Sequence, residues 1–519
     1  MAPGQHSAAG GATTLGAAVT GAAAARAGWL VEVNHQSSRA LGEAVRIMEG
    51  DALDAPEAVL KVCAELLTNL VTTLDTSGSN PDLDGLTDSG SGPVAELNRN
   101  LALVYDSNAA RAVVNGTSGA NLMMGGVVLP MLRGAGCVVL CDRDAHASVI
   151  GGLVVSGAHV EWLWRDYLAE HDVQAPISAS AVEARLVSDP LIQAVFVTSP
   201  TYDGFDVDIE GIAEVCHRAG ALLFIDGAWG AGYGALSDAG FPRSPIQRGA
   251  DAAVISIHKK GLAPSQIGVA LFRETAWAEL FDVAGNLGFA TTSPAYFLLM
   301  VAECQVSALL NRELTQPWAR AVASARAIAD RVREAHPGFR VITADDVGAT
   351  SGDPCHLLIH VGDVGVTGYA LLGALDRHGI TAEKATRDTL LVLIGPAEQE
   401  QVDLHLDALR KAASDVLSGG GGARPVDGLA RPSIRRAPVM KIRDAVLSIP
   451  ASVDLDDAIG RISAGVVAVY PPGSAILVPG EPICTEHIDY LRAVHEQGGR
   501  IRGLDMNSSP KIRIVRFVN

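Results

Sequence analysis

An apolar run, Ala252-Ala-Val-Ile255, ends in Ser256-Ile-His-Lys259, which sets a lysine beside a hydroxyl and an imidazole where a buried strand would stop. An ammonium is costly to desolvate, so a lysine at such a place is exposed, paired or covalently engaged. Upstream, Ala221-Leu-Leu-Phe-Ile225 ends in Asp226. Two strand ends, one carrying an acid and the other a lysine, suit pyridoxal 5'-phosphate chemistry. The lysine holds the cofactor through its amine, and the acid keeps the pyridine nitrogen protonated so that the ring accepts electrons.

Three further segments fit that chemistry, each with a plainer alternative. Asn115-Gly-Thr-Ser-Gly-Ala-Asn121 follows a short apolar run and precedes a helical pattern, so its N–H groups and hydroxyls suit a phosphate monoester; an ordinary N-cap with a glycine turn reads the same way. His146, in Asp142-Arg-Asp-Ala-His146, could stack on a cofactor ring or be a surface histidine. In Asp226-Gly-Ala-Trp229 the small residues let backbone approach a flat ring, although a strand-terminal aspartate with a core tryptophan is the alternative.

The elements that must carry these residues are short and almost purely apolar: Ala112-Val-Val114, Cys137-Val-Val-Leu140, Ala194-Val-Phe-Val197, Ala221–Ile225 and Ala252–Ile255. Strands without polar alternation are covered on both faces, which predicts an α/β fold with a mainly parallel sheet, helices on either side and ligands outside the carboxyl ends. Changes in composition divide the chain into an Ala/Gly-rich disordered tail (1–27), a helical N-terminal segment (28–94), a large cofactor-binding domain (95–335), a small α/β domain (336–417), a Gly/Pro/Arg linker (418–440) and a C-terminal segment (441–519). The net charge of −18 argues against nucleic acid, and no apolar run is long enough for a bilayer. The seven cysteines are scattered apart from Cys137 and Cys141, without the second close pair that zinc would want; core thiols, no metal and a cytoplasmic location are expected.

Asn115-Gly-Thr-Ser, Asp142–His146, Ser199-Pro-Thr-Tyr-Asp-Gly204, Asp226–Trp229, Ser256–Lys259, Thr291-Thr-Ser-Pro294 and Tyr470-Pro-Pro-Gly…Pro479-Gly-Glu481 together resemble the ornithine/lysine/arginine decarboxylases of pyridoxal phosphate fold type I, in a short form lacking an N-terminal wing domain. The resemblance implies that Lys259 carries the cofactor and that His258 contacts cofactor or substrate. It also implies that Ser256, Thr117, Ser118 and Gly119 bind phosphate, His146 stacks on the ring, Asp226 pairs with its nitrogen and Trp229 borders the pocket. Thr292 and Ser293 would reach the phosphate held by a neighbouring subunit, so a homodimer or larger homo-oligomer with shared sites is implied. The expected activity is α-decarboxylation of a basic L-amino acid, with Glu481 as the acid that reads the distal cation. Decarboxylation-coupled oxidative deamination, aminotransfer or aldol-type chemistry is the alternative. A non-catalytic relative would be damaged at the lysine, and Lys259 is intact.

Overall fold

The computed structural model describes residues 93–260, 266–289, 296–396, 401–419, 435–470, 475–496, 500–505 and 510–516. The expected tail, nearly all of the N-terminal helical segment, most of the linker, and Thr292 and Ser293 lie outside these residues. Two compact units are formed: Asn98–Thr292 with Ala308–Asn519, and Met1–Leu97 with Ser293–Ser307. In the second unit the described residues are helical, belonging to Pro93–Val104 and Tyr296–Leu310.

The first unit is built on a seven-stranded sheet of β1 (Ala109–Val113), β2 (Val138–Asp142), β3 (His159–Leu163), β4 (Ile192–Thr198), β5 (Leu222–Gly227), β6 (Ala252–Ser256) and β7 (Gly268–Phe272), ordered β1-β7-β6-β5-β4-β2-β3. Strands β3, β2, β4, β5 and β6 pair in parallel, while β7 runs antiparallel to both β6 and β1. Every residue of β5, β6 and β7 is buried, as strands covered on both faces must be. Because β1 is antiparallel to β7, it points the same way as the others, and the polar residues following β1, β2, β4, β5 and β6 gather at one edge. Helix α1 (Gly116–Met123) follows β1, α2 (Ala147–Ser156) follows β2, and α3 (Ile209–Arg218) precedes β5. The Asp208 carboxylate accepts the Gly211 N–H at 3.0 Å and caps α3, whose buried face is Ile209, Ile212, Ala213, Val215 and Cys216. The mainly parallel α/β sheet agrees with the expectation from the apolar runs. The reversed direction of β7 was not foreseen.

A smaller antiparallel sheet, β8 (Arg340–Val341), β9 (His356–His360), β10 (Lys384–Ala385) and β11 (Thr389–Leu393), has the order β8-β9-β11-β10. Helices α4 (Thr315–Ala335), α5 (Gly368–Arg377) and α6 (Gln401–Ser418) share one core with it through Leu357, Ile359, Leu371, Leu390 and Leu409. Toward the C-terminus, β12 (Pro450–Asp454), β13 (Val467–Tyr470), β14 (Ala475–Leu477), β15 (Arg500–Arg502), β16 (Leu504–Asp505) and β17 (Lys511–Val515) make two three-stranded sheets, β12-β17-β16 and β14-β13-β15. They bury Val467, Leu477, Ile512 and Ile514 against Ile488 and Leu491 of α7 (Thr485–Glu496). Among the described residues no helix is long and apolar enough to cross a membrane, and no cluster of histidine, cysteine or carboxylate side chains is fit to hold a metal ion.

Candidate active site

At the shared edge of the parallel strands lies a cavity of about 710 Å³. Thr117 and Ser118 from the start of α1, His146 after β2, Asp226 and Trp229 after β5, and Ser256, His258 and Lys259 at the end of β6 all line it. Residues far apart in sequence meet there because each follows a strand pointing the same way.

The start of α1 is open toward the cavity. The Asn115 side chain makes no cap hydrogen bond, and the Thr117 hydroxyl is buried without a partner among the described residues. A β-carbon on Gly268 would stand 2.6 Å from the Thr117 nitrogen, so only glycine lets β7 run this close to the turn. The positive end of the helix with an unsatisfied hydroxyl is suited to a phosphate. Gly119 does not line the cavity: its N–H donates to the Asn115 carbonyl at 3.2 Å, which removes it from the expected phosphate set.

Asp226 is buried and held by two donors, Asn121 Nδ2 at 3.0 Å and the Ala228 N–H at 3.2 Å. Asn121 also donates to Ser148 Oγ at 3.1 Å, and that hydroxyl lies 2.8 Å from His146 Nδ1. His146 Nδ1 accepts the Ser148 N–H at 3.2 Å, so Nδ1 carries no proton and the imidazole is the neutral Nε2–H tautomer. Burial lowers the pKa of His146, against the pull of Asp226, and favours the same neutral form. Neither Asn121 nor Ser148 was assigned a role from sequence, although Asn121 closes the quoted Asn115–Asn121 motif.

The two adjacent lysines diverge. Lys259 faces the cavity, with Nζ 4.4 Å from the centroid of the Trp229 ring. Packing around the ammonium lowers its pKa, while the Asp226 and Glu383 carboxylates oppose the shift. Lys260 is buried on the other side, 2.5 Å from Asp353 Oδ1 and 2.7 Å from His356 Nδ1. Burial would raise the Asp353 pKa, but the Lys260 ammonium and His356 hold it well below the usual carboxylate range. The Trp229 indole stands edge-on between Tyr202, at 5.1 Å, and His356, at 5.4 Å. Gly204, in a left-handed conformation at φ +92°, backs His356 so closely that a β-carbon would lie 2.4 Å from that residue's own. His258 Nδ1 donates to the Ile267 carbonyl at 3.1 Å, with Ser256 Oγ 3.0 Å from the same nitrogen.

Glu481 is not brought to the cavity. Arg143 grips its carboxylate with two bonds, Nε at 3.0 Å and a terminal nitrogen at 2.7 Å, and the Val478 N–H adds a third at 3.0 Å. Both side chains are buried, and Arg143 lies over Trp162 and Trp164, so Glu481 joins the C-terminal sheets to the large one and does not line the cavity. The cavity instead contains Glu383, immediately before β10, together with Asp144, Arg165, Thr198, Thr201 and Tyr202. Arg165 is neutralised by buried Asp142 through bonds of 3.1 and 2.5 Å.

The profile described as Orn/Lys/Arg decarboxylase, major domain, matches residues 57–402, and that of the C-terminal domain matches 432–508. An arginine decarboxylase of Halalkalibacterium halodurans is 26% identical over 435 residues, covering 82% of this chain and 86% of its own. One from Bacillus subtilis is 28% identical over 408 residues, covering 78% and 81%. The fold is similar to that of the Escherichia coli constitutive lysine decarboxylase, with a TM-score of 0.68 at 19% identity over 88% of this chain and 77% of that one.

Proposed function

The chain belongs to the Orn/Lys/Arg decarboxylase family, and we propose that it uses pyridoxal phosphate to remove the α-carboxylate of arginine, lysine or ornithine as carbon dioxide, leaving the amine. The observation that carries this reading is the meeting of Lys259, Asp226, His146 and the uncapped start of α1 in one cavity. The orphaned Thr117 hydroxyl and the acid fixed by two donors fit the two ends of this cofactor.

When bound, pyridoxal phosphate supplies an electron sink for the pair left at Cα as carbon dioxide departs. Thr117, Ser118, Ser256 and the first N–H groups of α1 hold the phosphate. Asp226 keeps a proton on the pyridine nitrogen, which Asn121 favours by fixing the carboxylate's direction. His146, neutral and held by Ser148, offers a flat face to the ring. The Lys259 amine is the attachment point, and its lowered pKa increases the fraction in the nucleophilic free-base form. His258, with Nδ1 committed to Ile267, keeps Nε2 as a proton acceptor 3.3 Å from Ser256 Oγ. Thr292 and Ser293 of a second copy of the chain would complete the phosphate site, making a homodimer the working unit.

The test is to incubate purified holoprotein separately with arginine, lysine and ornithine, following carbon dioxide, amine, ammonia and peroxide. Equal amounts of carbon dioxide and the cognate amine are expected from at least one. Ammonia or peroxide released at the turnover rate would replace decarboxylation with an oxidative outcome.

A further inference from the structure

Once Glu481 is bound to Arg143, the cavity needs another feature to tell a basic side chain from a neutral one. Among its charged groups, Asp144 is already engaged with a neighbour. The Arg165 guanidinium is matched by Asp142. Asp226 is committed to the cofactor under the reading above, and Lys259 gives up its free amine when a cofactor attaches. Glu383 then remains as an acid whose carboxylate takes a hydrogen bond from the Tyr202 hydroxyl at 2.5 Å and has no ion-pair partner among the described residues.

The structure itself contains an alkylammonium in this cavity. Lys259 Nζ lies over the Trp229 face at 4.4 Å, and Glu383 lines the same cavity. Trp229 is set edge-on to Tyr202, and Tyr202 in turn orients Glu383. An aromatic face with a carboxylate fixed beside it attracts a cation through both the ring quadrupole and the charge. A neutral or acidic side chain would leave Glu383 without a counter-charge in a partly desolvated cavity.

We infer that Glu383, oriented by Tyr202 and backed by the Trp229 ring, is the specificity-determining residue that receives the substrate's distal cation. This rests on the decarboxylase reading but can be tested without turnover. Cadaverine and n-pentylamine have the same carbon chain and differ only in the distal ammonium. Their equilibrium binding to cofactor-loaded protein isolates that charge. The wild type should bind cadaverine roughly tenfold to a hundredfold more tightly than n-pentylamine. Glu383→Gln should remove most of this preference by weakening cadaverine, with the cofactor's visible band kept as evidence that the site is loaded. Tyr202→Phe, which leaves the acid but frees its orientation, should reduce the preference by a smaller factor. In turnover, Glu383→Gln should act mainly by raising KM for the basic substrate.

An undiminished cadaverine preference in Glu383→Gln would overturn the assignment. So would an equal loss for both amines, since that would show Glu383 reading the reacting nitrogen. If no basic amino acid is decarboxylated yet the diamine preference depends on Glu383, the proposed reaction fails while the cation site stands.

Discussion

Lys259 and Lys260 are chemically identical neighbours, and their surroundings alone decide which can hold a cofactor. Lys260 is fastened to Asp353 and His356 in a buried cluster, whereas Lys259 opens into the cavity beside Trp229. Lys259→Ala should therefore abolish the cofactor's visible absorbance. Lys260→Ala should retain the band but lose about 3–5 kcal/mol of stability, because Asp353 is left as an uncompensated buried charge. Absorbance spectra with denaturant titrations of the two variants provide the check; borohydride labelling of Lys260 in the wild type would reverse the assignment. That Lys259 would face the cavity was legible from sequence because Ser-x-His-Lys sits at the end of an apolar run. Glu383 was not. It precedes a two-residue strand in a different sheet, and nothing local distinguishes its Glu-Lys pair from a solvated turn.

At the scale of elements, the five named apolar runs could be read as strands because burial on both faces removes polar alternation, a signal that composition preserves. Strand direction leaves no such trace, so Gly268–Phe272 could not be recognised as the antiparallel member. Glu481 was misread for a related reason. An acid in a Pro-Gly-Glu turn looks available until Arg143, 338 residues away, is seen to reach it. Glu481→Gln should consequently leave the preference for basic over neutral amines intact and destabilise the protein by about 3–5 kcal/mol, since Arg143 would remain buried with a weaker partner. Urea unfolding monitored by tryptophan fluorescence is suited to the measurement, because Trp162 and Trp164 lie against Arg143. A change in amine preference without loss of stability would restore Glu481 to the site.

For the whole molecule, acidity should act through buried histidines before it acts through surface carboxylates. His487 on α7 accepts the Cys484 N–H at 3.2 Å, and burial lowers its pKa to about 4. The folded state thus binds this proton less readily than the unfolded chain, whose histidine titrates near about 6.5. The stability associated with neutral His487 is complete above that value and is lost as pH falls toward about 4, a swing on the order of 3 kcal/mol. Asp353, also depressed, adds its own loss only below the ordinary carboxylate range, about 3.9. His487→Gln should flatten the stability profile between about pH 6.5 and 4, read as urea midpoints across that window. A variant with the wild-type slope would place the sensitive proton elsewhere.

Gly204 limits how this sequence can vary. With no room for even one carbon between it and His356, any replacement must displace an imidazole that touches both Trp229 and Lys260. The disturbance would spread to the two sides of Lys259: the ring under its amine and the neighbour that anchors its backbone. A saturation library at position 204, selected for cofactor retention, should return glycine almost alone, while the same selection at Gly365, also left-handed but with open space where its side chain would be, should accept asparagine and aspartate.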